Sequence, residues 1–233
     1  MDISIIVPCY NEKRVIKKNI SSVYNYFKKN KTIKNFEIII VDDGSTDNSY
    51  DIVRKLKRGK REIIQNEKRE NLGKGYSVNQ GVFMARFPYI IFFDADLATP
   101  LEETKNFLEY KNFDIVIGTR KNHKAKRTLI RKISGRIFSF FSNLILPLNV
   151  SDPQCGIKMF KKDIARKIFG KKIIDHFAFD SEILYIGRKL GFKIKEIPVK
   201  WKENDNSKVS LIKDGFNMLV DLIKVRFHDY GFA

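Results

Sequence analysis

Cysteine, acidic residues and long apolar runs are all scarce in this sequence. Cys9 and Cys155 are its only cysteines, too few for a disulfide framework or a zinc site, which predicts a reducing compartment. The longest apolar run, 137–148, contains a proline and is shorter than the roughly 20 residues of a transmembrane helix. Because Met1 leads directly into a strand-like run, no signal peptide is expected. We therefore expect a cytoplasmic protein whose membrane contact, if any, is peripheral.

Positive charge exceeds negative charge by a wide margin. The chain has 45 Lys and Arg against 27 Asp and Glu, a net charge of +18 over 233 residues. Such an excess indicates an anionic partner, which could be nucleic acid, a phosphorylated substrate or an anionic membrane surface. The alternative is a lysine-rich, solvated surface with no specific partner. A hydrophobic content of 43% is typical of a globular chain and excludes disorder.

Apolar strands alternate with helices in the first half of the chain. Strands are predicted at 3–8, 36–42, 62–65, 89–94 and 114–118, and helices at 12–29, from 47, from 73 to 86 and after 100. Strands that are apolar throughout indicate a parallel sheet covered on both faces, a doubly wound α/β fold that binds ligands beyond the carboxyl ends of its strands. After residue 118 the pattern changes to a basic segment, an apolar helix, the loop SDPQCG, a helix at 178–190, a strand at 192–201 and a helix at 211–227. We interpret this half as an elaboration of the same domain.

Acidic residues follow three of the predicted strands. The first strand ends before Glu12, the second in Asp42-Asp43, and the fourth in Asp94-Ala95-Asp96. In a parallel sheet these ends share one edge, and clustered carboxylates repel unless a positive group lies between them. Helix N-caps account for one or two such residues, as Asp47 is expected to do. A hard divalent cation that also binds a diphosphate accounts for the rest, and we expect Mg²⁺ or Mn²⁺ at Asp94 and Asp96.

The segment ENLGKGYS, residues 70–77, adds groups that suit phosphate binding. Gly73 and Gly75 allow a close backbone approach, and Lys74 supplies a positive charge at a helix N-terminus. The segment matches neither a Walker loop nor a dinucleotide fingerprint. An ordinary helix start is the alternative interpretation.

A basic segment precedes the longest apolar run. Residues 120–136 contain eight Lys and Arg, and no Asp or Glu occurs from 115 to 151. A basic stretch followed by aromatic and aliphatic residues suits a lipid headgroup surface. A solvated basic face is the alternative.

Seven motifs, in order, resemble those of family 2 glycosyltransferases, and more narrowly the dolichyl-phosphate hexose synthases. They are IIVPCYNE, IIIVDDGSTDNS, ENLGKGYSVNQGV, FFDADLATP, VIGTR, SDPQCGIKMF and FAFDSEILYIGRKLGFKIKEIPVKW. The resemblance runs from about Ile3 to Lys208 and implies the GT-A fold, with a nucleotide-sugar-binding half at 1–118 and an acceptor-binding half at 119–233 of one domain. DPQCGIKMF with WKENDNSKVS resembles the glucosyltransferase branch more than the mannosyltransferase branch.

The resemblance also implies roles for individual residues. The implied nucleotide-sugar site consists of Pro8, Tyr10, Glu12, Asp42, Lys74, Asp94, Ala95 and Asp96. Within it, Asp42 would bind the base, Lys74 would lie near the ribose or a phosphate, and Asp94 and Asp96 would hold the metal. Mannosyltransferase relatives often have a glutamine where this chain has Ala98, which cannot bind a metal.

For the acceptor, the resemblance implies an inverting reaction on a lipid phosphate. A phosphate monoester is already anionic near pH 7 and needs cations to place it rather than a carboxylate base. Arg120, Arg127 and Arg131 are the expected phosphate ligands, with Arg120 and Arg131 counted as catalytic together with the two metal-binding aspartates. Weaker candidates near the sugar or a closing loop are Gln154, Asp180, Glu182, Trp201 and Lys208. With a phosphate acceptor, Asp180 and Glu182 are expected to position the helix and the sugar, and Trp201 is expected to be a core residue rather than a sugar contact.

These observations predict an enzyme that moves a hexose, most simply glucose from UDP-glucose, to a polyprenyl or dolichyl phosphate at the cytoplasmic face of an anionic membrane. GDP-mannose as donor is the alternative within the class. A sugar nucleotidyltransferase is the alternative from another class, although it would require a glycine-rich basic loop after the first strand. A nucleic-acid-binding module would fit the charge alone, but the acidic crevice argues against a nucleic-acid partner.

Overall fold

The computed structural model describes residues 1–66, 70–120, 129–202 and 213–232. The strands are β1 (Asp2–Cys9), β2 (Asn35–Asp42), β3 (Ile63–Asn66), β4 (Tyr89–Phe92), β5 (Ile115–Thr119), β6 (Lys158–Lys161) and β7 (Ile194–Pro198). The helices are α1 (Ile16–Lys29), α2 (Ser49–Lys57), α3 (Lys74–Met84), α4 (Thr104–Glu109), α5 (Leu129–Ile145), α6 (Lys162–Phe169), α7 (Phe179–Lys189) and α8 (Lys213–Phe227), with a 3₁₀ turn at Leu101–Glu103.

The seven strands form one mostly parallel sheet in the order β3-β2-β1-β4-β6-β5-β7. Among the strands of the described residues, only β6 runs antiparallel to its neighbours, β4 on one side and β5 on the other. No strand was expected between residues 118 and 192, so β6 corrects the sequence analysis. The expected strand at 192–201 is shorter, Ile194–Pro198, and pairs parallel with β5. Because β6 and β7 come from the second half of the chain, both halves build the same sheet.

Helices cover both faces of the sheet, as the apolar strands predict. Side chains of β1 alternate between the faces: Ile6 packs in the cluster that includes α3, α6 and α7, whereas Ile5 packs in the cluster that includes α1. Strands that are buried on both faces have no solvent-exposed side, which explains why they contain nearly continuous Ile and Val.

Helix α8 turns only part of its apolar surface toward the core. In the sequence, Ile212, Phe216, Leu219 and Ile223 recur at helical spacing and predict an apolar stripe that is either core or interfacial. Leu222 and Val225 are buried, whereas Phe216 and Ile223 of that stripe are exposed, which excludes a purely internal role for it. Its remaining members are Leu219, which is partly buried against the core, and Ile212, which lies outside the described residues. None of the helices in the described ranges combines the length and apolar character that a membrane crossing requires.

Candidate active site

The carboxyl ends of β2, β1 and β4 lie side by side and form the floor of the candidate site. Cys9, the last residue of β1, is paired with Asp42, the last residue of β2. Just past β4, the Phe93 N–H donates to the Ile6 carbonyl of β1 at 3.0 Å. The acidic residues that follow these strands are therefore brought to one edge of the sheet, as parallel pairing requires.

Asp42 presents a buried carboxylate oxygen at this edge. Its Oδ1 accepts the Ser45 N–H at 2.7 Å, while its Oδ2 is buried and accepts no hydrogen bond from the described residues. Burial raises the pKa of Asp42, and the hydrogen bonds from Ser45 only partly oppose this shift. An unsatisfied buried acceptor is costly, so this oxygen is suited to receive an N–H from a ligand.

Asp43, next to Asp42, has a different task. Its two carboxylate oxygens accept the backbone N–H groups of Leu72 and Gly73, at 3.1 and 2.9 Å. Asp43 therefore anchors the glycine-containing loop. Its presence in the acidic cluster is explained by these hydrogen bonds and does not require a metal ion.

The end of β1 and the loop between β1 and α1 carry three predicted members of the nucleotide-sugar site: Pro8, Tyr10 and Glu12. Pro8 is buried, whereas Tyr10 and Glu12 are half-buried. The Glu12 N–H donates to Ser49 Oγ at 2.7 Å. Asn11 adopts a left-handed φ of 52°, and its Oδ1 accepts the N–H groups of Thr46 and Asp47. These bonds hold the loop against the one that follows β2.

Asp47 also lies in that second loop. Its Oδ1 accepts the Ser49 N–H at 2.9 Å, so the predicted cap acts one residue before the assigned N-cap, Asn48.

Two glycines bring Lys74 close to the segment that leads into α7. Gly73 has a φ of 106°, which disfavours any side chain, and a Cβ there would collide with the Asp175 carbonyl. A Cβ at Gly75 would collide with the ring of Phe179. As a result Lys74, the first residue of α3, reaches both Asp94 after β4 and Asp180 in α7. Burial favours the neutral amine, but these two carboxylates outweigh it and raise the pKa of Lys74 above its ordinary value.

The Asp94-Ala95-Asp96 turn is tightly held. Asp94 Oδ1 lies 2.7 Å from Lys74 Nζ, and Asp96 Oδ1 accepts the Ala98 N–H at 2.9 Å. Leu97 has a φ of 50°, a rare conformation for leucine that favours a functional interpretation of this turn. The Ala95 carbonyl accepts a hydrogen bond from Asn19 of α1 at 2.8 Å.

The donor set of this turn fits a hard divalent cation that also binds diphosphate. Two carboxylates supply oxygen ligands, the type that Mg²⁺ and Mn²⁺ prefer. Within the described ranges, no cluster of three or more His, Cys, Asp or Glu is placed to enclose a metal by itself. Further ligands would therefore come from phosphate oxygens and water, in keeping with Ala98 at the place of a possible extra ligand.

Arg120, an expected phosphate ligand, is engaged by a carboxylate in this structure. Its Nε and Nη2 donate to Asp152 at 2.6 Å each, and its backbone N–H donates to the same carboxylate at 3.0 Å. Burial opposes the charge, but Asp152 outweighs it and raises the pKa of Arg120 above its ordinary value. The guanidinium carbon lies 5.7 Å from the ring centre of Trp201, which is half-buried, so a place wholly in the core is wrong for this residue.

Of the remaining candidates, one is half-buried beside α7 and the others, including two expected phosphate ligands, lie wholly or partly outside the described residues. Gln154 Nε2 lies 3.4 Å from Ser181 Oγ, at the start of α7. Arg127 and Lys208 lie outside the described residues, as does the side chain of Arg131, although its backbone belongs to α5.

Asp180 and Glu182 of α7 are both buried and engaged. Asp180 pairs with Lys158 Nζ at 2.5 Å and lies 3.8 Å from Lys74 Nζ. Glu182 accepts the N–H groups of Ile173 and Ile174 and the Tyr230 hydroxyl. Glu182 thus ties the C-terminal segment to the loop before α7, an arrangement that fits a structural role for this residue.

Three residues of the site were missed in the sequence analysis: Asp152, Gly156 and Lys158. A Cβ at Gly156 would overlap the Asp94 carboxylate, so only glycine allows this close approach. All three lie within the motif SDPQCGIKMF, whose glycine and isolated lysine were the available signals. Their partners, however, are distant in sequence.

Comparisons with known proteins agree with this geometry. The model of "Glycosyl transferase family 2" matches residues 4–169. Dolichyl-phosphate beta-glucosyltransferase ALG5A of Trichomonas vaginalis is 35% identical over 98% of this chain and 74% of its own length. The dolichyl-phosphate beta-glucosyltransferase of Dictyostelium discoideum is 33% identical over 97% of this chain and 74% of its own length.

Solved structures extend the likeness to the whole fold. Glucosyl-3-phosphoglycerate synthase of Mycobacterium tuberculosis in complex with uridine diphosphate superposes with a TM-score of 0.70 at 16% identity, over 99% of this chain and 80% of its own. The same enzyme with Mn²⁺, UDP-glucose and phosphoglyceric acid gives a TM-score of 0.68 at 15% identity, over the same shares of the two chains. Taken together, the match over residues 4–169, the curated relatives and the shared architecture show that the chain is a glycosyltransferase with the GT-A fold and belongs to glycosyl transferase family 2.

Proposed function

We propose that the protein is an inverting, metal-dependent glucosyltransferase that moves glucose from UDP-glucose to dolichyl or another polyprenyl phosphate. The curated relatives that carry this acceptor in their names cover nearly the whole chain. In this proposal residues 1–118 bind the nucleotide sugar and residues 119–233 bind the acceptor. Family membership favours transfer over the sugar nucleotidyltransferase alternative.

One structural observation favours a phosphate acceptor over a hydroxyl acceptor: both carboxylates of α7 already have partners within the protein. A hydroxyl acceptor needs a base to take its proton, and Asp180 and Glu182 are carboxylates among the weaker site candidates that could serve as one. Here Asp180 is paired with a buried lysine, and Glu182 is used by the backbone and Tyr230. A phosphate acceptor needs neither residue as a base.

The reaction then requires no proton transfer. An anionic phosphate oxygen attacks the anomeric carbon on the side opposite UDP, the bond from that carbon to the diphosphate oxygen breaks, and its electron pair leaves with UDP. A bound metal would neutralise the negative charge that develops on the diphosphate. Lys74 is placed to contribute positive charge beside Asp94, and Arg120, Arg127 and Arg131 are proposed to position the acceptor phosphate.

The experiment that tests this function follows labelled sugar into lipid. We expect label from UDP-glucose, rather than from GDP-mannose, to enter the lipid extract when dolichyl phosphate and Mn²⁺ or Mg²⁺ are present. Unphosphorylated dolichol is the control acceptor, and we expect no transfer to it. Equal transfer to dolichol would contradict the base-free reaction, and a preference for GDP-mannose would change the donor.

Asp42 supports uridine over guanosine. Because Ser45 holds Oδ1 and only Oδ2 lacks a partner among the described residues, the carboxylate has one oxygen to offer. Uracil presents one N–H between two carbonyl groups, whereas guanine presents two adjacent donors that would occupy both carboxylate oxygens. The geometry therefore favours UDP.

We predict that Asp42→Asn weakens UDP binding roughly tenfold to a hundredfold, the range for a lost hydrogen bond to a charged group. The asparagine oxygen would remain with Ser45, and its amide would place a donor against the uracil N–H. Calorimetry in the presence of Mn²⁺ measures the loss. Ribose 5-diphosphate, which lacks the base, should bind both proteins equally, and an equal loss for this ligand would contradict base recognition.

Helices α5 and α8 support a membrane-facing role for this side of the protein. The two helices pack against each other, and both expose large apolar residues: Ile137, Phe140, Phe141 and Leu144 in α5, and Phe216, Val220, Ile223 and Phe227 in α8. The basic residues of 120–136 precede the exposed stretch of α5, and the chain carries +18 overall. We propose that this surface rests on the anionic cytoplasmic face of a membrane.

We predict that changing Phe140 and Leu144 together to serine weakens binding to anionic vesicles at least about tenfold, because two large apolar side chains no longer enter the lipid. Both are mostly exposed, at 64% and 67%, so folding should be unaffected. Phe83→Ser is the matched control, since Phe83 is also exposed but belongs to α3. Vesicle co-sedimentation measures binding, and equal losses for the pair and the control would contradict the proposal.

A further inference from the structure

Four charged side chains form a row that runs from the protein core to the Asp94-Ala95-Asp96 turn. Lys158 Nζ lies 2.5 Å from Asp180 Oδ1, Asp180 Oδ2 lies 3.8 Å from Lys74 Nζ, and Lys74 Nζ lies 2.7 Å from Asp94 Oδ1. The signs alternate along the row. Asp180 therefore lies between two lysines, and Lys74 lies between two aspartates. Lys158 has no role in the function proposed above.

The pair of Lys158 and Asp180, the inner pair of this row, is held in the protein core. The side chain of Lys158 is 0% exposed and that of Asp180 only 2%. Lys158 also donates to the Cys155 carbonyl at 2.8 Å and lies 5.4 Å from the ring centre of Phe92. A buried charge that loses such partners is left uncompensated, at a high cost. This pair therefore keeps its place whatever happens at the surface.

The outer pair is open to exchange. The side chain of Lys74 is 20% exposed and that of Asp94 is 38% exposed, so water and ions can reach them. Lys74 is within hydrogen-bond distance of Asp94, whereas Asp180 lies beyond that distance but still close enough for a strong charge interaction. One lysine thus has two carboxylate partners, a near one that belongs to the proposed metal site and a far one that does not.

We propose that Lys74 is an exchangeable counter-ion of the metal site and that Lys158 is a positioning residue that keeps Asp180 in place as its second partner. This inference rests on the proposed function, because it requires a divalent cation at Asp94 and Asp96. Without the cation, Lys74 neutralises Asp94. When the cation binds, Lys74 moves toward Asp180 and the diphosphate, because the metal and the ammonium group compete for the same oxygen and repel each other.

The exchange predicts that Lys74 has opposite effects on two affinities, that for the metal alone and that for UDP with the metal. A cation that arrives alone must displace Lys74 from Asp94. A cation that arrives with a nucleotide diphosphate brings anionic oxygens to which Lys74 can turn. Loss of Lys74 should therefore strengthen binding of metal alone and weaken binding of UDP with metal. A lysine that only contacted phosphate would change the second quantity alone, and one needed only for folding would lower both.

The test measures Mn²⁺ uptake without nucleotide, from the electron paramagnetic resonance signal of free Mn²⁺. We expect Lys74→Met to bind Mn²⁺ roughly tenfold more tightly than the wild type, within the range of coupling energies for contacting charges. The double variant Asp180→Asn/Lys158→Met removes the second partner without a net change of charge, and we expect it to bind Mn²⁺ more weakly than the wild type. With Lys74→Met already present, the double change should have little further effect.

Two controls separate this inference from the proposed function. Lys161→Met breaks a comparable pair, in which Lys161 Nζ lies 2.9 Å from Asp114, and it should leave Mn²⁺ uptake unchanged. Asp94→Asn should abolish uptake. If the wild type binds Mn²⁺ through Asp94 but Lys74→Met does not bind it more tightly, the exchange is wrong and the metal site stands. If Asp94→Asn binds as well as the wild type, or neither protein binds Mn²⁺ even when UDP is added, the metal site fails and the inference with it. Should the double variant not fold, Asp180→Asn alone, which also removes the charge of the second partner, replaces it with the same expected direction.

Discussion

Changing Asp96 to asparagine should lower sugar transfer roughly 10²- to 10³-fold, the usual loss when one group that stabilises developing charge is removed. The substitution removes the charge of a proposed metal ligand but keeps the oxygen that accepts the Ala98 N–H. The turn should therefore persist while the divalent cation loses much of its affinity. The initial rate of sugar transfer to lipid, at a Mn²⁺ concentration that just saturates the wild type, measures the effect.

Asp51→Asn is the matched control for this substitution. Asp51 is an exposed aspartate of α2 that pairs with Arg54 at 2.9 Å, and its replacement should leave the rate within about twofold of the wild type because exposed pairs contribute little. Near-normal turnover of Asp96→Asn would refute the assignment of Asp96 to the metal. A loss that excess Mn²⁺ partly restores would support it further.

The second large effect concerns stability. Lys158→Met should lower the free energy of unfolding by about 3–5 kcal/mol, the cost of leaving a buried charge without its partner. Of its basic partners among the described residues, Asp180 would keep Lys74 alone, at 3.8 Å, and the Cys155 carbonyl would lose the Lys158 donor. Urea unfolding followed by circular dichroism at pH 7 measures the change.

A double variant tests the cause of that loss. Adding Asp180→Asn to Lys158→Met removes the stranded charge and should recover most of the lost stability, even though two polar groups have then been changed. Lys161→Met, which breaks a more exposed pair, should cost no more than about 1 kcal/mol. If the double variant is no more stable than Lys158→Met alone, the loss comes from packing rather than from the unpaired carboxylate.

The edge that holds the candidate site could be predicted from the sequence because its rules are local. Each apolar strand ends in a short polar stretch, and parallel pairing brings such ends together whatever the details of the helices. Asp42 and Asp94 follow this rule. Gly73 and Lys74 could also be placed, since a glycine next to a lysine at a helix start restricts the local backbone.

Strand β6 could not be predicted in the same way. It has only four residues, and one of them, Lys158, is a fully buried lysine that interrupts the apolar pattern expected of an internal strand. What stabilises the lysine there is Asp180, which lies 22 residues further along. Periodicity within a short window does not contain that information.

Side-chain partners explain the remaining differences. Arg120 is of a residue type that binds phosphate, and the sequence did not indicate that Asp152 would also bind two of its nitrogens. Glu182 is of a residue type that can act as an acid or base, and the sequence did not indicate that Tyr230 and the backbone at 173–174 would bond both of its oxygens. In each case the residue type indicates what the side chain can bind, while the tertiary fold decides which partners lie within reach.

The position of β6 also affects how the chain can fold during synthesis. β5 joins the sheet through β6 and β7, and both are translated after it. Until residue 161 has left the ribosome, β4 has an unpaired edge and β5 has no strand neighbour. Exposed edges of this kind promote wrong pairing between chains, and non-local strand pairs form slowly. Premature termination between residues 119 and 158 should therefore give an aggregation-prone fragment rather than a smaller nucleotide-binding protein.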